Sequence, residues 1–186
     1  MSRKKLQKGQ LLIAEPSVLG DHYFARTVIL LSEYNENGAV GFILNKPLEY
    51  SIGELITDLD SNQTVFNGGP VEQDNLYFIH TVPDKIKNSI EISNGIFWGG
   101  DFEEIKLLLR GNEISKNEIR FFLGYSGWTK NQLDEEIENN SWIVENNLDN
   151  NTILSNTSID FWRKKINAQG GDYILFSNAP EDPILN

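Results

Sequence analysis

Between Ile119 and Trp142 the chain reads IRFFLGYSGWTKNQLDEEIENNSW, and the rest of the molecule is arranged about this segment. Ile119 to Leu123 reads as a buried strand, a short apolar run bounded by turn signals. Gly124-Tyr125-Ser126-Gly127-Trp128 reads as a glycine-punctuated turn. A capped helix follows. Thr129 and Gln132 stand at the capping-box spacing, in which the hydroxyl accepts a first-turn N–H while the glutamine reaches back. Leu133 and Ile137 then fall one helical turn apart on one face.

Working towards the N-terminus, Asp101 with Glu104 opens a helix that carries Ile105, Leu108 and Leu109 on one stripe and ends near Gly111. Ile90 and Ile92 alternate with polar residues in a strand that meets a turn at Asn94-Gly95, after which Ile96-Phe97-Trp98 leads into Gly99-Gly100-Asp101. Leu76 to Ile79 is a buried strand ending at His80, and Val65-Phe66 is a brief one running into Asn67-Gly68-Gly69-Pro70. Ser51 and Glu54 repeat the capping-box spacing and open a short helix through about Leu59. Thr27 to Leu31 and Ala39 to Leu44 pair as an antiparallel hairpin through Asn37-Gly38. Gly41 marks a bulge or a close backbone approach, and Asn45-Lys46-Pro47 ends the second strand. Gln10 to Ala14 is a first strand, stopped by Pro16.

Towards the C-terminus, Trp142 to Val144 is a short strand and Leu148 to Ser155 a polar loop. Thr157 with Asp160 caps a last helix bearing Ile159, Trp162 and Ile166 and ended by Gly170-Gly171; Tyr173 to Phe176 is a final strand. Strands and helices do not alternate strictly, and several strands are hairpin partners. The pattern implies an α+β fold with a mixed, mainly antiparallel sheet and flanking helices. With no linker and no internal repeat, residues 1–186 read as one domain, of which 1–8 (with Arg3, Lys4, Lys5 and Lys8) form a flexible basic tail.

Sixteen Lys and Arg against 27 Asp and Glu give a net charge of −11, a field that repels phosphate backbones and argues against direct nucleic-acid binding. There is no cysteine, which removes disulfides, thiolate metal sites and cysteine nucleophiles and fits a reducing compartment. No apolar run reaches the ~20 residues of a membrane span, so a soluble, cytoplasmic protein is expected.

The turn around Ser126 invites a nucleophile-elbow reading, but the pattern needs glycine two positions after the serine, where this chain has Trp128. Its base would have to be His22 or His80, the two histidines of the chain. The double glycines at Gly68-Gly69, Gly99-Gly100 and Gly170-Gly171 lack phosphate-loop spacing, and two of them precede aspartate, the wrong charge beside an anion. No metal-ligand spacing occurs, so neither metal nor cofactor is expected. Asp134-Glu135-Glu136 with Glu138 forms a solvated acidic helix face. Tyr125 and Trp128 flank a glycine turn, where rings can line a groove.

Many of these blocks recur in a known family. They are Gly9-Gln10-Leu11-Leu12-Ile13-Ala14-x-Pro16, Phe24-x-Arg26-Thr27-Val28, and Gly38-Ala39-x-Gly41-x-x-Leu44-Asn45-x-Pro47. Gly68-Gly69-Pro70-Val71, Gly124-Tyr125-Ser126-Gly127-Trp128, Gln132-Leu133-x-x-Glu136-Ile137, Trp142 and Asp182-Pro183-x-x-Asn186 continue the series. In this the chain resembles the bacterial AlgH/YqgE family over essentially its whole length. The resemblance implies a single α+β domain whose irregular sheet is folded into a pseudo-barrel. It also implies a family without an established biochemical activity, one branch of which is named for a proposed role in transcriptional regulation. Alanine at the Ser126 position in that family argues against a serine nucleophile.

Two readings of function follow. One is a non-enzymatic regulatory protein that binds a protein partner. The other is a small-molecule binder or an enzyme whose site lies where the Asn45–Pro47, Gly68–Pro70 and Gly124–Trp128 turns converge. The candidate ligand or partner contacts are Arg26, Asn45, Lys46, Gly68, Gly69, Tyr125, Ser126 and Trp128, with Arg26 or Lys46 the natural anion contact.

Overall fold

The computed structural model describes residues 6–18, 20–146, 149–155 and 160–179. Among these, the strands are β1 (Gln10–Ala14), β2 (Val28–Asn35), β3 (Gly38–Ile43), β4 (Pro47–Ser51), β5 (Thr64–Asn67), β6 (Val71–His80), β7 (Ile90–Ser93), β8 (Ile96–Trp98), β9 (Ile119–Thr129) and β10 (Trp142–Asn146). The helices are α1 (Ile52–Leu55), α2 (Phe102–Arg110), α3 (Gln132–Glu138), α4 (Asn150–Ser155), α5 (Asp160–Gln169) and α6 (Tyr173–Ser177).

β9 joins the two halves of the sheet. Its first half, residues 119–123, lies between β6, which pairs with it antiparallel, and β5, which pairs with it in parallel. Its second half, residues 126–129, pairs antiparallel with β3. The strand order is β10-β1-β2-β3-β9-β6-β8-β7, an open path, with β4 attached through β5. Apart from the β5–β9 pair the ladders are antiparallel, as the hairpin pattern implies. The fold is α+β.

Successive side chains of a strand point to opposite faces, and both faces of β9 are covered. Ile119 and Phe121 belong to one core, with Ile105 and Leu109 of α2; Phe122 and Trp128 belong to a second, with β1, β2, α3 and α5. That is why the run Ile119 to Leu123 lacks polar alternation. Asp101 caps α2 by accepting from the Glu103 N–H at 2.9 Å, and Gly111 ends it. Glu54 accepts from the Ser51 N–H at 2.7 Å, the reaching-back half of the expected capping box, but α1 stops at Leu55.

Several local expectations are corrected. Gly124 to Trp128 is not a turn: β9 runs unbroken through it to Thr129. Gly124 has φ +70°, and opposite it β6 carries an irregularity between Val71 and Leu76, so the glycine marks the point where β9 changes partners. The helix after it starts at Gln132 with Asn131 as N-cap, while Gln132 Oε1 still accepts from the Thr129 N–H at 3.0 Å. Residues 150–155 form a helix instead of a loop, and 173–177 a helix instead of a strand. Of the expected basic tail, residues 1–5 lie outside the described residues, but Leu6 is buried and Lys8 Nζ donates to the Glu91 carbonyl at 2.8 Å. The expected contributions of Thr157, Ile159 and the closing Asp182-Pro183 block also lie outside the described residues.

Candidate functional site

The three stretches expected to converge do meet, through their backbones. Ile43 N–H donates to Gly68 O at 3.0 Å, Asn67 N–H to Lys46 O at 2.8 Å, and Gly68 N–H to Leu123 O at 2.8 Å. Ser126 Oγ donates to the same Gly68 carbonyl at 3.1 Å from a fully buried position, and Gly69 N–H donates to Asn67 Oδ1 at 3.0 Å. Gly68 is glycine because nothing larger fits: a Cβ there would stand 2.2 Å from Gly124 O. Asn45 is buried and works as a clamp, accepting from Val28 N–H at 2.9 Å and donating to Arg26 O at 2.8 Å.

The remaining expected residues face elsewhere. Arg26, at φ +57°, donates to Ala179 O at 2.8 Å and lies over the Trp162 ring at 5.6 Å. Lys46 Nζ donates to Tyr23 O at 2.6 Å; burial pushes its ammonium below the usual lysine range, against the opposing pull of Asp21. Tyr125 meets Tyr77 edge-on at 5.6 Å. Trp128 packs in the core beside Phe24 and Trp142, and both indole N–H groups donate to Glu136 Oε2, at 2.8 and 2.7 Å. His80 is buried, its Nε2 beside Gly99 O at 3.2 Å and its Nδ1 accepting from Val82 N–H at 3.3 Å, while His22 is exposed beside Tyr23. Neither imidazole is a partner of Ser126. Among the described residues no three acidic or histidine side chains are grouped to hold a metal ion.

A different residue stands at a cavity. Arg120, the second residue of β9, is only 3% exposed. Its guanidinium donates to Leu44 O at 2.9 Å and to Leu154 O at 2.6 Å and lies 4.5 Å over the Phe66 ring. It thereby ties together the end of β3, β5 and the last turn of α4, whose final carbonyls have no helical partner. Among the described residues it has no carboxylate partner, and its three other N–H groups make no hydrogen bond. Burial pushes it down to about 10, so it stays charged at neutral pH. A cavity of about 390 Å3 opens beside it, bordered by Gln63, Thr64, Lys116, Asn117 and Ser155 as well as by Phe66, Leu154 and Arg120 itself. None of its described lining residues is acidic. Gln63 Oε1, in the same wall, is buried and has no hydrogen-bond partner among the described residues.

Arg120 was legible in one respect: it is the charged residue inside the otherwise apolar run Ile119 to Leu123. A buried arginine must find acceptors, so its presence signals carbonyls or an anion nearby. Which ones was not legible, because Leu44 and Leu154 come from far along the chain.

A family model described as AlgH-like matches residues 11–174. A protein from Chlorobium limicola, named UPF0301 protein, is 42% identical over 183 residues, covering 98% of this chain and 97% of its own length. One of the same name from Cytophaga hutchinsonii is 42% identical over 183 residues, covering 97% and 100%. Among solved structures, the crystal structure of a Corynebacterium diphtheriae protein superposes with a TM-score of 0.75 at 26% identity, covering 96% of this chain and 95% of that one. The solution structure of the AlgH protein from Pseudomonas aeruginosa shares the fold, with a TM-score of 0.72 at 24% identity over 97% and 98% of the two chains. On the strength of the matched model and of relatives similar over nearly their full length, the chain belongs to the AlgH-like family.

Proposed function

We propose that this protein is a non-enzymatic regulatory protein of the cytoplasm, acting by binding, and that the Arg120 cavity is its ligand site. The observation that carries this reading is the buried guanidinium with N–H groups to spare beside a cavity. A group that stays charged near pH 7 is a poor proton-transfer catalyst but a good recognition element. Because Arg120 also holds α4 and the end of β3, a ligand drawing on it acts on both elements at once. That coupling gives the bound state a way to alter the surface offered to a protein partner. In this reading Asn45, Gly68, Gly69 and Ser126 are the frame that positions β9. Arg26, Lys46, Tyr125 and Trp128 brace its surroundings. The net charge of −11 favours a protein partner over DNA as the regulated target.

A thermal-shift screen over metabolites and metal ions at millimolar concentration tests the reading. A ligand of the native state at a hundred-fold excess over Kd stabilises it by about 2.7 kcal/mol. At least one compound is expected to raise the midpoint in the natural protein and to do so much less in Arg120→Lys. If no compound moves the midpoint, or if Arg120→Lys responds equally, the cavity is not a ligand site and the reading falls.

A further inference from the structure

We infer that the Arg120 cavity takes a small free oxyanion, a phosphate or a short carboxylate, gripped by Arg120 with Lys116 at the rim. The inference rests on the cavity being a ligand site and adds the chemistry of its ligand. Three observations converge on it. The cavity holds two cationic side chains and, among its described lining residues, no acid, on a chain of net charge −11. Local positive potential in an otherwise acidic molecule selects for a negative ligand.

Second, Arg120 pairs with neutral carbonyls and no described carboxylate, so its charge is solvated by dipoles and not cancelled. A guanidinium presents N–H groups in a planar fork that matches the spacing of carboxylate or phosphate oxygens. Here Leu44 O and Leu154 O take one N–H from each terminal nitrogen, which leaves Nε–H and one N–H on each terminal nitrogen for an incoming anion. Third, the rest of the wall supplies neutral donors for further oxygens: the hydroxyl of Thr64 and the side-chain amides of Gln63 and Asn117. At about 390 Å3 the cavity lies at the small end of the range for ligand pockets, roughly 300–1,000 Å3. This size suits a small molecule and not a folded partner.

The test is a titration followed by amide chemical shifts at low, constant ionic strength. The probes are inorganic phosphate, succinate, glycerol and methylammonium chloride, added to the natural protein and to Lys116→Glu. Lys116 is exposed, so its replacement leaves the core intact. Saturable shifts are expected at Thr64, Asn117 and Ser155 with phosphate or succinate and not with glycerol or methylammonium. Whichever anion saturates at the lower concentration separates a phosphate ligand from a carboxylate one. Lys116→Glu should weaken the anion about five-fold or more, because it reverses the charge at the rim. Arg120→Lys keeps the charge and loses the fork, and should weaken it further.

Shifts scattered over the whole surface, absent from those three amides, or unchanged in Lys116→Glu overturn the inference. If a neutral or cationic compound from the metabolite screen saturates those amides and neither anion does, the oxyanion inference falls while the binding reading stands. If nothing saturates them and nothing in the screen stabilises the protein, both fall.

Discussion

The carbonyls of Leu44 and Leu154 lie in the interior and depend on one side chain, Arg120, for their side-chain hydrogen bonds. An unpaired buried carbonyl costs about 1–3 kcal/mol. Arg120→Met keeps the stem and removes both donors, so it is expected to destabilise the fold by about 3 kcal/mol in urea unfolding; a loss below about 1 kcal/mol would mean the two bonds are dispensable. His80 gives a second residue-scale prediction. Burial lowers its imidazole below the ordinary 6.5, against a smaller raising effect of Gly99 O. The unfolded chain therefore takes up a proton more readily than the native one. The stability that His80 confers is complete above about pH 6.5 and is lost as pH falls through that value towards the lowered native one. Unfolding free energy should decline from pH 7 to pH 5.5 in the natural protein and be flatter over that interval in His80→Gln. Parallel profiles would remove His80 as the cause.

At the scale of elements, β9 has to serve both halves of the sheet, β5 and β6 along its first residues and β3 along its last. Gly124, at φ +70°, makes the change of partner: a Cβ there would stand 2.6 Å from Gly69 O and 2.8 Å from Val71 O. The neighbouring crossing at Gly68 is as close, with Gly124 O 2.2 Å from where a Cβ would be. Gly68→Ala must push two backbones apart and should cost about 2–3 kcal/mol, read as a lower urea midpoint at unchanged slope. A midpoint within error of the natural protein would show that the crossing is loose. The same crowding explains why Gly-Tyr-Ser-Gly-Trp read as a turn. Glycine is the common signal of turns and of close strand crossings, and the two differ only in what lies opposite. Tyr173 to Phe176 misled in another way. Its apolar residues suit a strand, but Ile174, Leu175 and Phe176 are exposed on a helix, so their apolarity does not report burial in a sheet.

At the scale of the whole molecule, two cores lie on opposite faces of the sheet and β9 contributes to both. Phe121 enters one and Phe122 the other, which makes the apolar run at 119–123 the seam of the fold. The family and the α+β, mainly antiparallel architecture were legible because they rest on local spacing: Asn37-Gly38 closing a hairpin, Asp101 and Gly111 bounding α2, ordered glycine and aromatic blocks along the chain. These depend on backbone conformations that a few adjacent residues set by themselves. Short segments such as residues 150–155 and 173–177 were not legible, since so few residues form a stable element only when something packs on them. The candidate site lay furthest from view. Residue spacing pointed to Asn45, Gly68 and Ser126, which meet as a buried backbone lattice, whereas the cavity is lined by Arg120, itself held by the carbonyls of Leu44 and Leu154, 76 and 34 positions away. Local residue order thus carried the turns, the caps and the family. The partner change in β9 and the pairing of a buried charge with carbonyls from two distant segments came from tertiary contacts, because those free energies depend on groups that no neighbouring residue supplies.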